Sequence, residues 1–334
     1  MSSWYMSADR AGDVAVSSRV RLARNIADMP FPSRMNEEMF SHLKSRVKTA
    51  VDKLSVNGYK LRFIEMNNVP ENEIGAMVER HVISPDFASN CQNRAIAISD
   101  DESISIMIGE EDHIRIQVIV AGFALEEAYR IADSLDTALG SHLDFAFDND
   151  LGFLTECPTN IGTGLRASVM LHLPICEGKG DIASISDAAG KIGLTVRGMY
   201  GEGSKAKASL YQISNQITLG ISEKNAIENL SVIAKQIIDR EKHGRKLLNR
   251  VELEDSVMRA FGTLKYARLV DTEEFMKLIS LIKLGIDEGI IESEELSPVR
   301  LLVEAQPYML MKKYSISNSA ERDEARAQMV REIL

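Results

Sequence analysis

Between residues 36 and 55 the apolar side chains Phe40, Leu43, Val47, Val51 and Leu54 recur in steps of three and four, the stripe of an amphipathic helix. From about residue 59 to 220 the repeat shortens towards two. Ile104 and Ile106 alternate with Ser103 and Ser105, and Ile114, Ile116 and Val118 alternate with Arg115 and Gln117. Val169, Leu171 and Leu173 share a strand face, and Ile213 and Ile217 do so more weakly. The segment DFAFDNDLGFLT, residues 144–155, predicts two strands joined at Asp148-Asn149-Asp150, a turn by composition. Because the strands mostly follow one another through short turns, the fold class they predict is α+β. It is a largely antiparallel sheet flanked by helices rather than a doubly wound one.

Ser222 opens a long helix with Ile227, Leu230, Ala234 and Ile237 on one face. From about residue 245 the strand signal stops. Asp271 and Glu274 have capping-box spacing ahead of Phe275, Leu278, Leu281 and Ile282, and Ser297-Pro298 starts a further helix. The chain therefore divides into a mixed domain over 12–245 and a helical C-terminal domain over 250–334. Its 334 residues suffice for both.

Charge and cysteine usage narrow the setting. A formal charge of -10 repels nucleic acid and anionic membrane and favours basic protein partners. No run reaches the roughly 18 apolar residues of a membrane helix, and MSSWYMSADRAGD has no basic-then-apolar order of a secretory signal. Cys91, Cys157 and Cys176 are too few and scattered for a disulfide framework, so a cytoplasmic protein with reduced thiols is expected.

Five arginines, Arg19, Arg21, Arg115, Arg166 and Arg197, fall at apparent strand ends or turns. Arg19 and Arg21, two apart, share a face. Taken singly, each is ordinarily a surface charge or half an ion pair; converging, their planar forks would cradle a triphosphate. Glu110, Glu111 and Asp112 stand in a row before a strand, and Glu202 is flanked by Gly201 and Gly203. Two carboxylates can hold a guanidinium and take its proton during attack on phosphorus. That help matters, because arginine's pKa of about 12.5–13.8 leaves a poor nucleophile. The stretch CPTNIGTGLRAS, residues 157–168, makes a loop leading to Arg166 but is no Walker A motif, since no Gly-Lys-Ser/Thr follows its glycines. Cys157 at its start is either an inert thiol or a thiolate complementing a guanidinium. His42, His81, His113, His142, His172 and His243 lack zinc-ligand spacing, so no protein-held metal is expected. Phosphoryl transfer still requires Mg2+, held mainly by phosphates and water.

SSRVRLARN (17–25), EEDHIRI (110–116), LTECPTNIGTGLRASVMLHLP (154–174) and RGMYGEG (197–203), in this order, resemble the phosphagen (guanidino) kinase family. The resemblance implies an antiparallel sheet flanked by helices and an ATP site. It assigns to that site Ser17, Ser18, Arg19, Val20, Arg21, Arg115, Arg166, Ala167, Ser168, Val169, Met170, Arg197, Gly198, Met199, Tyr200, Gly201 and Glu202, with His81 near the nucleotide. Glu111 and Glu202 would bind and deprotonate the guanidinium, with Cys157 beside it.

Within the family the chain looks like the protein arginine kinase (McsB) branch. Sixteen residues precede SSRVR, so the helical domain found before this point in the small-molecule kinases is expected to be absent, leaving room for an arginine within a protein. HVISP, GEGSKAKASLYQISNQITLG and LGIDEGII also resemble that branch. By the same resemblance, the C-terminal domain mediates homodimerisation. Arg322, Asp323, Glu324, Ala325, Arg326 and Ala327 would then form an RDxxRA site for phosphoarginine. An activator protein, the Clp protease and a stress-response role are implied in the same way. Two departures stand out: Gly109 replaces the family's usual asparagine, which is expected to loosen the Glu111 loop, and Lys205 and Lys207 add charge after RGMYGEG. The alternatives are a kinase of free arginine or another small guanidine, and a non-catalytic reader of phosphoarginine.

Overall fold

The structure is a computed structural model and describes residues 3–8, 13–54, 58–198, 207–293 and 296–334. In chain order its elements are β1 (Ala15–Arg24), α1 (Glu37–Val51), β2 (Leu61–Glu65), α2 (Glu71–Glu79), α3 (Pro85–Ser89), β3 (Ala95–Ser99), β4 (Ile104–Ile108) and β5 (Ile114–Ala121). Then follow α4 (Leu125–Gly140), β6 (Phe147–Asp148), β7 (Gly152–Phe153), β8 (Leu165–His172), α5 (Pro174–Gly178), α6 (Ile182–Gly190), β9 (Leu194–Gly198) and β10 (Leu210–Asn215). The rest is helical: α7 (Glu223–Lys246), α8 (Arg250–Tyr266), α9 (Thr272–Asp287), α10 (Pro298–Glu304), α11 (Pro307–Tyr314) and α12 (Ser319–Ile333).

Eight strands form one antiparallel sheet in the order β2-β3-β4-β5-β1-β8-β10-β9. The remaining two, β6 and β7, make the small hairpin expected around Asp148-Asn149-Asp150. Ile217 lies beyond β10 and is exposed, so it does not share a strand face with Ile213. The helix starts hold their predicted caps: the side chains of Ser222, Asp271 and Ser297 accept from the backbone N–H three residues on.

The two faces of the sheet differ in chemistry. One is continuous apolar core: Val20, Leu22, Ile116, Val118, Ala167, Val169 and Ile213 pack beneath α1, α4 and α7 through Leu43, Leu135 and Leu230. Each valine, leucine or isoleucine among them contributes about 1.5–3 kcal/mol by leaving water. The opposite face is covered in two patches. Ile96, Ile98 and Met107 pack against Met77, Val82, Ile83 and Phe87 on and after α2. At the other end, Val16, Ile119 and Leu210 join Trp4, Phe275, Val299 and Leu302 in a core shared with the C-terminal helices. A β-bulge between Ala15 and Ser17 turns Val16 towards that core. Between the patches the strands carry polar side chains.

The C-terminal helices are also tied to the rest by charge. Glu241 on α7 accepts from Ile175 N and Cys176 N, and Arg245 reaches Asp287 on α9 at 3.2 Å. Glu79, at the end of α2, accepts from Tyr308 N (3.0 Å) and Met309 N (2.8 Å), the first turn of α11.

Candidate active site

Strand register brings the arginines together. Arg21 lies opposite Arg166 on β8 and Gln117 on β5, while Arg19 lies opposite Ser168 and Ile119. Arg115 pairs with Ala23, and Gln212 on β10 pairs with both Met170 and Arg197. All therefore face the same way, onto the strip between the two apolar patches. Arg19 and Arg21 sit in the middle of β1, not at a strand end, which is why neighbouring strands can surround them with further arginines.

They line a cleft of about 560 Å³ shared by Arg19, Arg21, Arg115, Arg166, Arg197, His81, Glu110, Glu111 and Cys157. The like charges are held at a cost. Burial, then Arg115 and Arg166, push Arg19 down to about 10, and burial, then Arg19, Arg115 and Arg166, drive Arg21 well below its usual value. Arg19 donates to Gln212 Oε1 at 2.6 Å, whereas Arg21 Nε is buried without a hydrogen-bond partner among the described residues. An anion with several oxygens would relieve both the repulsion and the unmet donor. The residues thus fit a nucleotide triphosphate.

The three acids have three different fates. Glu110 is buried and accepts from Ser84 Oγ and Arg115 Nη1; burial pushes it up, yet these partners hold it below the usual carboxylate range. Asp112 is buried too, accepting from Asn25 Nδ2 and Glu156 N, but burial wins and raises it. Only Glu111 is exposed, within the cleft. The turn around it is braced: Asn25 Oδ1 accepts from His113 N, His113 Nδ1 accepts from Ile26 N, and Gly109 N donates to His113 O. Gly109 has φ +79, in the left-handed region that glycine and asparagine tolerate best, so glycine suits the tight turn here.

Cys157 Sγ lies 3.0 Å from Thr159 Oγ1 at the mouth of the same cleft. Its loop is packed backbone to backbone. A Cβ on Gly162 would sit 2.2 Å from Thr218 O, and one on Gly164 2.6 Å from Ala23 O. Thr218 Oγ1 bridges Thr159 O and Ile161 O. The glycines thus permit close approach of segments rather than contact with phosphate.

His81 has φ +60 and its carbonyl accepts from Gln117 Nε2 at 2.7 Å. Burial, aided by Arg19, pushes it down to about 4, so it is neutral near pH 7. It borders both the arginine cleft and a narrow apolar slot of about 50 Å³ lined by Trp4, Val16, Ile119, Met170, Leu210 and Leu302. Ser17, Ser168 and Met170 also face this side.

Ser18, Val20, Ala167 and Val169 turn their side chains away from the cleft. The side chains of Val20, Ala167 and Val169 are in the opposite core, and Ser18 Oγ is engaged with Gly122 O and Ala124 N. Strand alternation puts every second residue of a matched segment on the wrong face. In the C-terminal motif, Arg326 is buried and donates to Ala305 O, Val270 O, Thr272 Oγ1 and Asp323 Oδ1, and Ala327 is in the core. Arg322, Asp323 and Ala325 are half-buried and Glu324 exposed. Met199, Tyr200, Gly201, Glu202 and Lys205 lie outside the described residues. Sequence reasoning overlooked Gln212, Gln117 and Trp4. The glutamines were detectable as polar positions in register with the arginines, but nothing in the sequence marked Trp4.

Residues 42–244 match the family described as ATP:guanido phosphotransferase, C-terminal catalytic domain, and residues 250–334 match the protein-arginine kinase McsB C-terminal domain. The chain is 44% identical to a protein-arginine kinase of Caldanaerobacter subterraneus subsp. tengcongensis, over 95% of this chain and 96% of that one. It is 42% identical to the protein-arginine kinase of Halothermothrix orenii, over 99% and 96%. Among solved structures, the duplicated taurocyamine kinase from Schistosoma mansoni with bound transition-state analogue components is 26% identical. It superposes with a TM-score of 0.62 over 75% of this chain and 37% of that one. A lombricine kinase, 24% identical, shares the fold with a TM-score of 0.59 over 69% and 66%.

Proposed function

The chain belongs to the ATP:guanido phosphotransferase family and to its protein-arginine kinase branch, and from that premise we propose how its polar sheet face works. The protein transfers the γ-phosphate of ATP to arginine side chains of other proteins. The observation that carries our account of the site is the convergence of Arg19, Arg21, Arg115, Arg166 and Arg197 on one cleft that also exposes Glu111.

In this account the arginines hold the triphosphate, and Arg21 Nε gains the acceptor it lacks. Fixed cations neutralise charge spreading over the transferring phosphoryl group without reorganising during the reaction. Arg115 is aimed by Glu110, which is itself held by Ser84. Glu111 accepts from the incoming guanidinium, aligns one nitrogen with phosphorus and takes its proton. On the family resemblance alone, Glu202 is the second carboxylate, and Cys157 stands beside the guanidinium. Mg2+ would rest mainly on phosphates and water. The purine base is placed at the mouth of the slot beside Trp4, which at about 50 Å³ does not enclose it, with neutral His81 at the junction of base and phosphates.

We also assign two roles to the C-terminal helices. An outward stripe of Leu247, Val251, Met258, Tyr266 and Leu269, all at least half exposed, runs along and beside α8 and suits a homodimer contact. For phosphoarginine, Arg322 is the cation left to meet a phosphate, because Arg326 is spent on backbone carbonyls.

To test the site, ATP·Mg2+ is titrated against wild type and Arg166→Ala while melting temperature is followed. A stabilisation of several degrees in wild type that is absent in the variant supports the cradle; equal stabilisation in both refutes it.

A further inference from the structure

We infer that a groove leading out of the catalytic cleft seats the polypeptide flanking the target arginine, and that Glu156 selects a lysine or arginine close to that target. This rests on Glu111 receiving the target guanidinium. The groove, about 630 Å³, shares Glu110, Glu111 and Cys157 with the catalytic cleft, so a chain whose arginine enters one can continue into the other.

The lining suits extended polypeptide. Phe40 and Pro158 supply apolar walls, while Asn90, Gln92 and Asn93 bring amides that can donate to and accept from a peptide backbone. Charge then singles out one residue. Arg94 also lines the groove, but its guanidinium is committed to the carbonyls of Gly109, Asp86 and Phe87. Glu110 is paired with Arg115, and Glu111 serves the target. Among the described residues Glu156 accepts from Ser33 N, at 3.2 Å, and forms no ion pair. A basic side chain on the substrate would complete it. At about 3.3 Å per extended residue, adjacent to the Cys157 mouth means within roughly four residues of the target.

The test uses the full-length enzyme and peptides with one arginine in a neutral background. A single lysine is walked from four residues before the arginine to four after it. Wild type should show about a fivefold or greater rise in kcat/KM at one or two neighbouring positions. Glu156→Gln, which keeps an acceptor for Ser33 N, should abolish that rise while leaving the lysine-free peptide within about twofold. No positional effect, or one that survives Glu156→Gln, overturns the inference. Failure of wild type on every peptide, including the lysine-free one, overturns the catalytic account beneath it as well.

Discussion

Arg21 shows how the site stores its binding capacity. Its guanidinium sits among Arg19, Arg115 and Arg166 with one donor unmet, so the apo protein carries like-charge repulsion that an anion removes. Arg21→Gln should therefore melt no lower than wild type without nucleotide, yet lose about 1.5–3 kcal/mol of ATP affinity, roughly 10- to 150-fold. Thermal melts with and without ATP check both halves. His81 gives a second prediction. Its folded pKa of about 4 lies below the unfolded value of about 6.5, so the stability it contributes is complete above pH 6.5. That contribution is lost as pH falls from there through 4, because the unfolded chain binds the proton first. His81→Asn, which tolerates the positive φ, should flatten the fall in melting temperature across that window. An unchanged slope would contradict the burial argument. Single residues were the least legible scale in the sequence. The motif placed Arg326 among the phosphoarginine residues, because nothing local announces the four acceptors that bury it.

At the scale of elements, alternation was legible and pairing was not. Period two placed Arg19 and Arg21 on one face of β1. That β1 lies between β5 and β8, so that Arg115 and Arg166 flank them, depends on long-range pairing that no local pattern encodes. The 157–168 loop makes the same point. Its glycines stood out in the sequence, but their reason is contact with Thr218 and Ala23, distant in the chain. Gly162→Ala should shift the loop, since its Cβ would meet a backbone carbonyl at 2.2 Å and its φ is +109. We expect kcat to fall at least tenfold while ATP-induced stabilisation persists, because the arginines stand on strands and not on the loop. Single-turnover and melting measurements separate the two.

Across the whole molecule, two apolar patches cover the ends of one sheet face and leave a polar strip between them. The C-terminal helices are one of these covers, so the same residues that close the core, Val299 and Leu302, also wall the slot beside Trp4. Trp4 is the chain's single tryptophan, which makes base binding directly observable. ATP should change its emission, whereas inorganic triphosphate, which fills only the arginine cradle, should leave it nearly unaltered. The antiparallel sheet and helical C-terminus could be anticipated from periodicity; the shared slot could not, because it is assembled from residues about 300 positions apart. The central claim joins cradle and carboxylate in one reaction. It is tested most directly by following acid-labile phosphate from ATP·Mg2+ onto an unstructured arginine-rich protein, with free arginine in parallel, for wild type and Glu111→Gln. The account predicts transfer to the protein and not to free arginine, with a loss of about 10²–10⁴ in the variant and ATP stabilisation retained. Equal rates in the two enzymes, or preferential transfer to free arginine, would contradict it.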